Sequence, residues 1–271
     1  MPIRLLALDL DGTIIDARMQ ASPRVRWALR RAREAGVHVT LATGRFFDST
    51  RVFANELGIH GPLICFQGAL VQDSGTEEVH LRRGVPLGLA HELINFVHDR
   101  GWDACVYIDD RLYVEKATPN LRFYAEYSPI KEQMNAVGDL GAFLSCDPLK
   151  IVVVVEAEQA LSVSSMLRER FEGRLQIVRS FHRFVEATNL TASKGQALSF
   201  LAQMRGVTQM ETMAIGDNDN DADMIAWAGL GIAMGNASDA VKAAASHVVP
   251  SIEEDGAALA IERFILEQYD G

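Results

Sequence analysis

Short, wholly apolar runs alternate along this chain with stretches in which apolar residues recur every three to four positions. Leu5-Leu6-Ala7-Leu8 is the first such run. It ends in acids and a glycine, the pattern of a strand buried on both faces. Ser22 and Pro23 then read as the N-cap and first turn of a helix, with Val25, Ala28, Leu29 and Ala32 on one stripe and Gly36 as the stop. Val37 to Ala42 and Ile64-Cys65-Phe66 are further apolar strands. Strand, helix, strand with apolar strands throughout predicts parallel βαβ units with helices on the sheet faces.

Near Arg82 the texture changes. Asp103 to Ile108 and Arg111 to Lys116 read as a hairpin turning at Asp109-Asp110, followed by a strand at Ile151–Val155, a helix over Ala157–Phe171 and strands at Leu175–Val178 and Phe184–Ala187. After Ser193 the first texture returns: a helix over Lys194–Met204, a strand at Met213–Ile215, a helix over Ala222–Ala228, a strand at Ile232–Met234 and a helical tail from Gly256 to Gln268. The expected architecture is α/β: a doubly wound, Rossmann-like parallel-sheet core at 1–82 and 185–271, interrupted by a smaller α/β cap domain at 83–184.

Composition narrows the chemistry. With 26 basic against 36 acidic side chains the net charge is −10, which argues against a sequence-independent nucleic-acid binder. An anionic ligand must then be held by local positive charge or a metal. Cys65, Cys105 and Cys146 are far apart and form no C-x-x-C, so neither a disulfide framework nor a zinc site is expected. The longest uncharged stretch, Met224 to Ser238, is short of the ~20 apolar residues of a membrane span. A cytoplasmic location is the expectation.

Two acidic clusters follow apolar strands. In Asp9-Leu10-Asp11-Gly12-Thr13 the two aspartates share a strand face, and Gly12 permits a sharp turn that exposes N–H groups to an anion. Asp217, Asp219, Asp221 and Asp223 alternate after the strand ending at Gly216, and would repel one another unless solvated, protonated or holding a cation. An EF-hand loop opens similarly, but Ala222 and Ala228 stand where it needs Gly and Glu. Thr43-Gly44-Arg45 offers a hydroxyl at the same sheet edge, and Lys194 opens a helix after Ser193. Arg24, Arg26, Arg30, Arg31 and Arg33 lie off the apolar stripe of their helix and read as a solvated face.

That order of motifs, D-x-D-G-T, T-G-R, S-K-G and G-D-x-x-N-D, resembles the four-motif pattern of haloacid dehalogenase-superfamily phosphatases. The insert between T-G-R and S-K-G resembles the Cof-like subfamily with its C2-type cap. Gln67-Gly68-Ala69 departs from the subfamily's usual Asn-Gly-Ala, and Asn189-Leu190-Thr191-Ala192 before Ser193 is atypical. The resemblance implies Asp9 as nucleophile and Asp11 as acid and base, with Mg2+ on the Asp9 carboxylate, the Asp11 carbonyl and Asp217. It implies Thr43, Gly44, Lys194, Asn220 and the N–H of Leu10 as phosphate contacts, with Asn220 alternatively on a metal water. Asp221 would support the metal shell or orient Lys194. Arg45, His182 and Arg183 are further candidates for facing the substrate. The expected reaction is hydrolysis of a small organic phosphate, a sugar phosphate first; a phosphomutase and an idle metabolite-binding regulator are the alternatives.

Overall fold

The computed structural model describes residues 2–127 and 133–268, which divide into two compact units, 1–81 with 193–271 and 82–192. In the first, five strands lie side by side in the order His247–Val248, Leu230–Ala233, Thr212–Gly216, Leu5–Leu8, His38–Leu41, all parallel. The apolar run Leu5–Leu8 is central and fully buried, as its lack of alternation requires. From it the chain winds outward twice, first to His38–Leu41 and later to Thr212–Gly216 and beyond. The topological switch therefore falls between Leu5–Leu8 and Thr212–Gly216, and both acidic clusters sit at the carboxyl ends of those two strands.

Helices cover the faces. Pro23–Glu34 starts where Ser22 Oγ accepts from the Val25 N–H (3.1 Å) and buries Val25, Ala28, Leu29 and Ala32. Lys194–Met204 is capped by Ser193, whose Oγ accepts from Gln196 N–H (3.2 Å), and packs Ala197, Leu198 and Leu201 with Leu5, Ala7 and Ile64. The arginines of the first helix are engaged within the unit: Arg24 with Glu262 (2.6 Å), Arg31 with Glu34 (3.3 Å) and Arg33 with the Gly58 carbonyl.

Beside the expected parallel core the chain adds an antiparallel edge. Pro62–Cys65 joins Ala42 through a single parallel bridge but pairs antiparallel with Leu70–Asp73, and Val79–Arg82 lies beyond. Only four residues separate those strands, too few for a parallel crossover. The reversal is made by Phe66, Gln67 and Gly68, three consecutive residues in the left-handed region (φ 49, 58 and 91°).

The second unit is a six-stranded sheet in the order Leu175–Phe181, Phe184–Asn189, Lys150–Val154, Asp103–Ile108, Arg111–Val114, Met134–Ala136, antiparallel except for the last pair. The predicted hairpin turns at Asp109, which takes φ 52°. Leu87–His98 and Ala157–Arg170 cover one face, burying Leu93, Ile94, Val97, Val163 and Leu167 against Val106, Ile151, Val153 and Val185. The predicted return at 185 is also displaced, because Phe184–Asn189 is hydrogen-bonded between two strands of this sheet and the first unit resumes only at Ser193. An apolar strand carries no mark of which sheet it joins. Among the described residues no helix is long and apolar enough to cross a membrane, and none of Cys65, Cys105 and Cys146 is in a disulfide.

Candidate active site

The site is assembled from loops that leave the carboxyl ends of the parallel strands. Asp9 continues the central strand, its N–H donating to the Ile215 carbonyl (2.9 Å), and its side chain is 7% exposed. Lys194, the first residue of its helix, reaches in with a side chain 1% exposed. Its Nζ donates to Asp9 Oδ1 (2.6 Å) and Asp221 Oδ1 (2.5 Å), so one ammonium binds carboxylates from opposite ends of the chain. The other oxygen of Asp221 accepts from the Asp217 and Asn218 N–H groups (3.0 Å each), which leaves that carboxylate fully committed.

Asp217 is the third member. Thr13 Oγ1 donates to its Oδ1 (2.7 Å), and Asn236 Nδ2 donates both to Asp217 Oδ2 (3.2 Å) and to the Gly12 carbonyl (2.9 Å). Gly12 is obligatory twice over: it takes φ 84°, and a Cβ there would lie 2.5 Å from Asp217 Oδ2. Asp9, Asp217 and Asp221 each present a carboxylate oxygen within 4.8 Å of the others. Three acids thus face one ammonium. Burial, then the neighbouring Asp221 charge, raises the Asp9 carboxyl well above the usual range, although Lys194 opposes the shift. Burial also pushes Asp217 up to about 6, with Asp221 adding to it and the Thr13 hydrogen bond opposing it. Burial alone would lower the Lys194 pKa, but Asp221 and Asp9 outweigh it and hold the ammonium charged.

The remaining candidates divide. Asp11, half exposed, is gripped by the Arg45 fork, from Nε to Oδ2 (2.7 Å) and from Nη2 to Oδ1 (2.5 Å). Arg45 itself lies over the Phe53 ring at 5.1 Å. Thr43 is buried and its Oγ1 accepts from the Arg45 N–H (3.2 Å). Leu10 is buried, its carbonyl accepting from Ile14 and Ile15. Asn220 is tied to Gln67, a second neutral amide, its Nδ2 donating to Gln67 Oε1 (2.8 Å). His182 and Arg183 lie in the second unit, where Arg183 donates to Asn120 Oδ1 (2.6 Å), Glu156 (3.0 Å) and the Val155 carbonyl (3.1 Å). His182 is exposed in the turn before Phe184.

The residues matched by the model of the haloacid dehalogenase-like hydrolase family are 6–261. The chain belongs to that family. Its motif order and the place of its insert make it a Cof-like member. YxeH of Bacillus subtilis is 32% identical to this hydrolase over 97% of the chain and 98% of its own length. The pyridoxal phosphate phosphatase YbhA of Escherichia coli is 29% identical over 92% and 94%. A crystal structure of a haloacid dehalogenase-like hydrolase from Bacteroides thetaiotaomicron superimposes with a TM-score of 0.86 at 30% identity, covering 96% of this chain and 99% of that one.

Thr13, Asn236 and Gln67 were not singled out as site residues from sequence. Thr13 stood in view, inside the first acidic cluster, where it reads equally well as a helix cap. Asn236 carries no charge and no motif spacing, and Gln67 stands out in sequence only as a departure from Asn-Gly-Ala, so only the folded chain reveals what they touch.

Proposed function

We propose that this hydrolase is a Mg2+-dependent phosphatase that cleaves small organic phosphate monoesters by way of an aspartyl-phosphate on Asp9. As a member of its family with phosphatases among its relatives, it is a phosphoric monoester hydrolase; the metal, the substrate class and the residue roles are the proposal. The observation that carries it is the convergence of Asp9, Asp217 and Asp221 on one another around the single ammonium of Lys194, at the switch point of the sheet.

The donor set fits a hard divalent cation. Asp9 and Asp217 supply oxygen; burial raises both carboxyls, and the neighbouring Asp221 charge adds to the shift while Lys194 opposes it. The Asp9 and Asp217 carboxylates and the Asp11 carbonyl would hold Mg2+, with Asp221 kept for Lys194 and the loop backbone. When bound, the ion offsets the repulsion between an anionic nucleophile and an anionic substrate.

The chain's own groups do the rest. Lys194 fixes one oxygen of Asp9, and the carboxylate attacks phosphorus, forming the O–P bond as the ester oxygen leaves. Asp11 protonates that leaving oxygen and then takes a proton from the water that hydrolyses the acyl phosphate, releasing orthophosphate. The Arg45 fork holds both Asp11 oxygens, so turnover requires it to open. Thr43 Oγ1 accepts from Arg45 N–H, which leaves its own proton for a phosphoryl oxygen, beside Lys194 and the N–H groups of Leu10 and Gly44.

Asp9→Asn tests this directly. Mg2+-dependent release of nitrophenol from p-nitrophenyl phosphate should fall by at least about a thousandfold; wild-type turnover in the variant refutes the reading. A panel led by sugar phosphates, with pyridoxal phosphate and nucleotides after them, reads the substrate class. Free orthophosphate marks a hydrolase, whereas an isomeric sugar phosphate marks a mutase.

A further inference from the structure

Gln67 is placed where its backbone preference alone would not put it. It takes φ 58°, ψ 26°, a left-handed conformation that suits Asn or Gly better than a longer side chain. Strain of this kind persists where the surroundings over-determine it, and it points to function when the residue also makes a specific contact. The surroundings here are parts of the site itself. The Gln67 N–H donates to the Thr43 carbonyl (3.1 Å) and the Phe66 N–H to the Arg45 carbonyl (2.9 Å), which fastens the turn to T-G-R. Gly68 lies so close to the Ser193 carbonyl that a Cβ would collide with it, which seats the same turn against the start of the Lys194 helix. A Cβ at Gly44 would likewise collide with the Gln67 amide nitrogen.

With its nitrogen over Gly44, Gln67 turns its oxygen to Asn220. Oε1 accepts from Asn220 Nδ2 at 2.8 Å, across 153 residues of sequence. That bond fixes which end of the Asn220 amide is spent. Its nitrogen is engaged, while its Oδ1 is buried and has no hydrogen-bond partner among the described residues. A buried carbonyl oxygen without a donor costs about 1–3 kcal/mol and calls for an explanation. An acceptor repels a phosphoryl oxygen, itself an acceptor, and is matched by an O–H donor.

We propose that Gln67 is a positioning residue that orients Asn220 so that its Oδ1 accepts from a water on the divalent cation, not so that its nitrogen donates to phosphate. This rests on the phosphatase reading above and selects between the two roles open to Asn220. The predicted dependence is on the metal, not on the anion.

The experiment measures Mg2+ binding by calorimetry and melting temperature for the wild type, Gln67→Asn, Gln67→Met, Asn220→Ala and the Gln67→Asn/Asn220→Ala pair. Asn is shorter by one methylene and accepts a left-handed backbone more readily, whereas Met keeps the length without the acceptor. Gln67→Asn should melt no lower than the wild type without metal, yet bind Mg2+ about fivefold more weakly, the equivalent of one neutral hydrogen bond. Gln67→Met should show a similar loss, and the pair should lose no more than Asn220→Ala alone. Binding of orthophosphate at saturating Mg2+ should be unchanged in all of them. Undiminished Mg2+ affinity in both Gln67 variants overturns the proposal, as do additive losses in the pair or a loss confined to orthophosphate. Absence of Mg2+ binding by the wild-type chain overturns the functional reading, and this assignment with it.

Discussion

Each unit of this hydrolase buries a lysine against a carboxylate, and the two arrangements differ in charge balance. In the second unit Lys150 Nζ meets Glu186 Oε1 at 3.3 Å between neighbouring segments of one sheet, and lies 5.1 Å from the Tyr107 ring. Among the described ion pairs there, one cation meets one anion. In the first unit Lys194 faces Asp9 and Asp221 directly, with Asp217 close by, and the carboxyls of Asp9 and Asp217 are pushed up by burial and mutual charge. A balanced buried pair is replaceable by apolar residues of similar volume at little cost, so it is weak evidence of function. An unbalanced cluster is not, because its excess charge has to be met by a proton or a bound cation. The comparison teaches that burial alone does not mark an active site; uncompensated burial at a sheet switch point does.

The largest effect expected comes from deleting the ammonium on the unbalanced side. Lys194→Met should abolish aryl phosphate turnover, by on the order of a thousandfold, and destabilise the chain by about 3–5 kcal/mol in urea unfolding. Because the acids left behind can still bind a cation, added Mg2+ should recover part of that stability. Full activity in this variant would remove the distinction drawn here.

On the balanced side, Lys150→Met alone should also cost about 3–5 kcal/mol, since it strands Glu186, but Mg2+ should not recover it. The pair Lys150→Met/Glu186→Leu should return to within about 1 kcal/mol of the wild type. A pair as unstable as the single variant would assign Lys150 and Glu186 something beyond mutual neutralisation.

The smallest effect sharpens the contrast through pH. Asp217 titrates at about 6 in the folded chain against 3.8 in the unfolded one, so between those values the folded state binds more protons. Its stabilising contribution is complete below 3.8 and disappears as pH rises through about 6. Mg2+ competes with that proton, so the melting-temperature gain from saturating metal should be larger at about pH 7.5 than at about pH 5. At a fixed Mg2+ concentration a hundred times its dissociation constant at about pH 7.5, the stabilisation there is about 2.7 kcal/mol. An unchanged gain across that range would mean Asp217 is not among the ligands.

Local patterns carried the elements well where short-range physics decides them. Ser22 and Ser193 mark their helices because a cap bond lies within three residues of the cap, and Lys194–Met204 has the same bounds in sequence and structure. The left-handed turn at 66–68 and the allegiance of Phe184–Asn189 escaped, since each is settled by partners far along the chain.

From the sequence alone came the fold class, the family resemblance and the acids Asp9, Asp11, Asp217 and Asp221 as candidates, because charged residues ending apolar strands are anomalous enough to read locally. Only the tertiary structure decided that Lys194 bridges Asp9 to Asp221, that Arg45 grips Asp11, and that Gln67 leaves the Asn220 oxygen without a donor. Those are pairings across tens to hundreds of residues. Distance in space, and with it the strength of each electrostatic contact, is fixed when the sheet closes and not before.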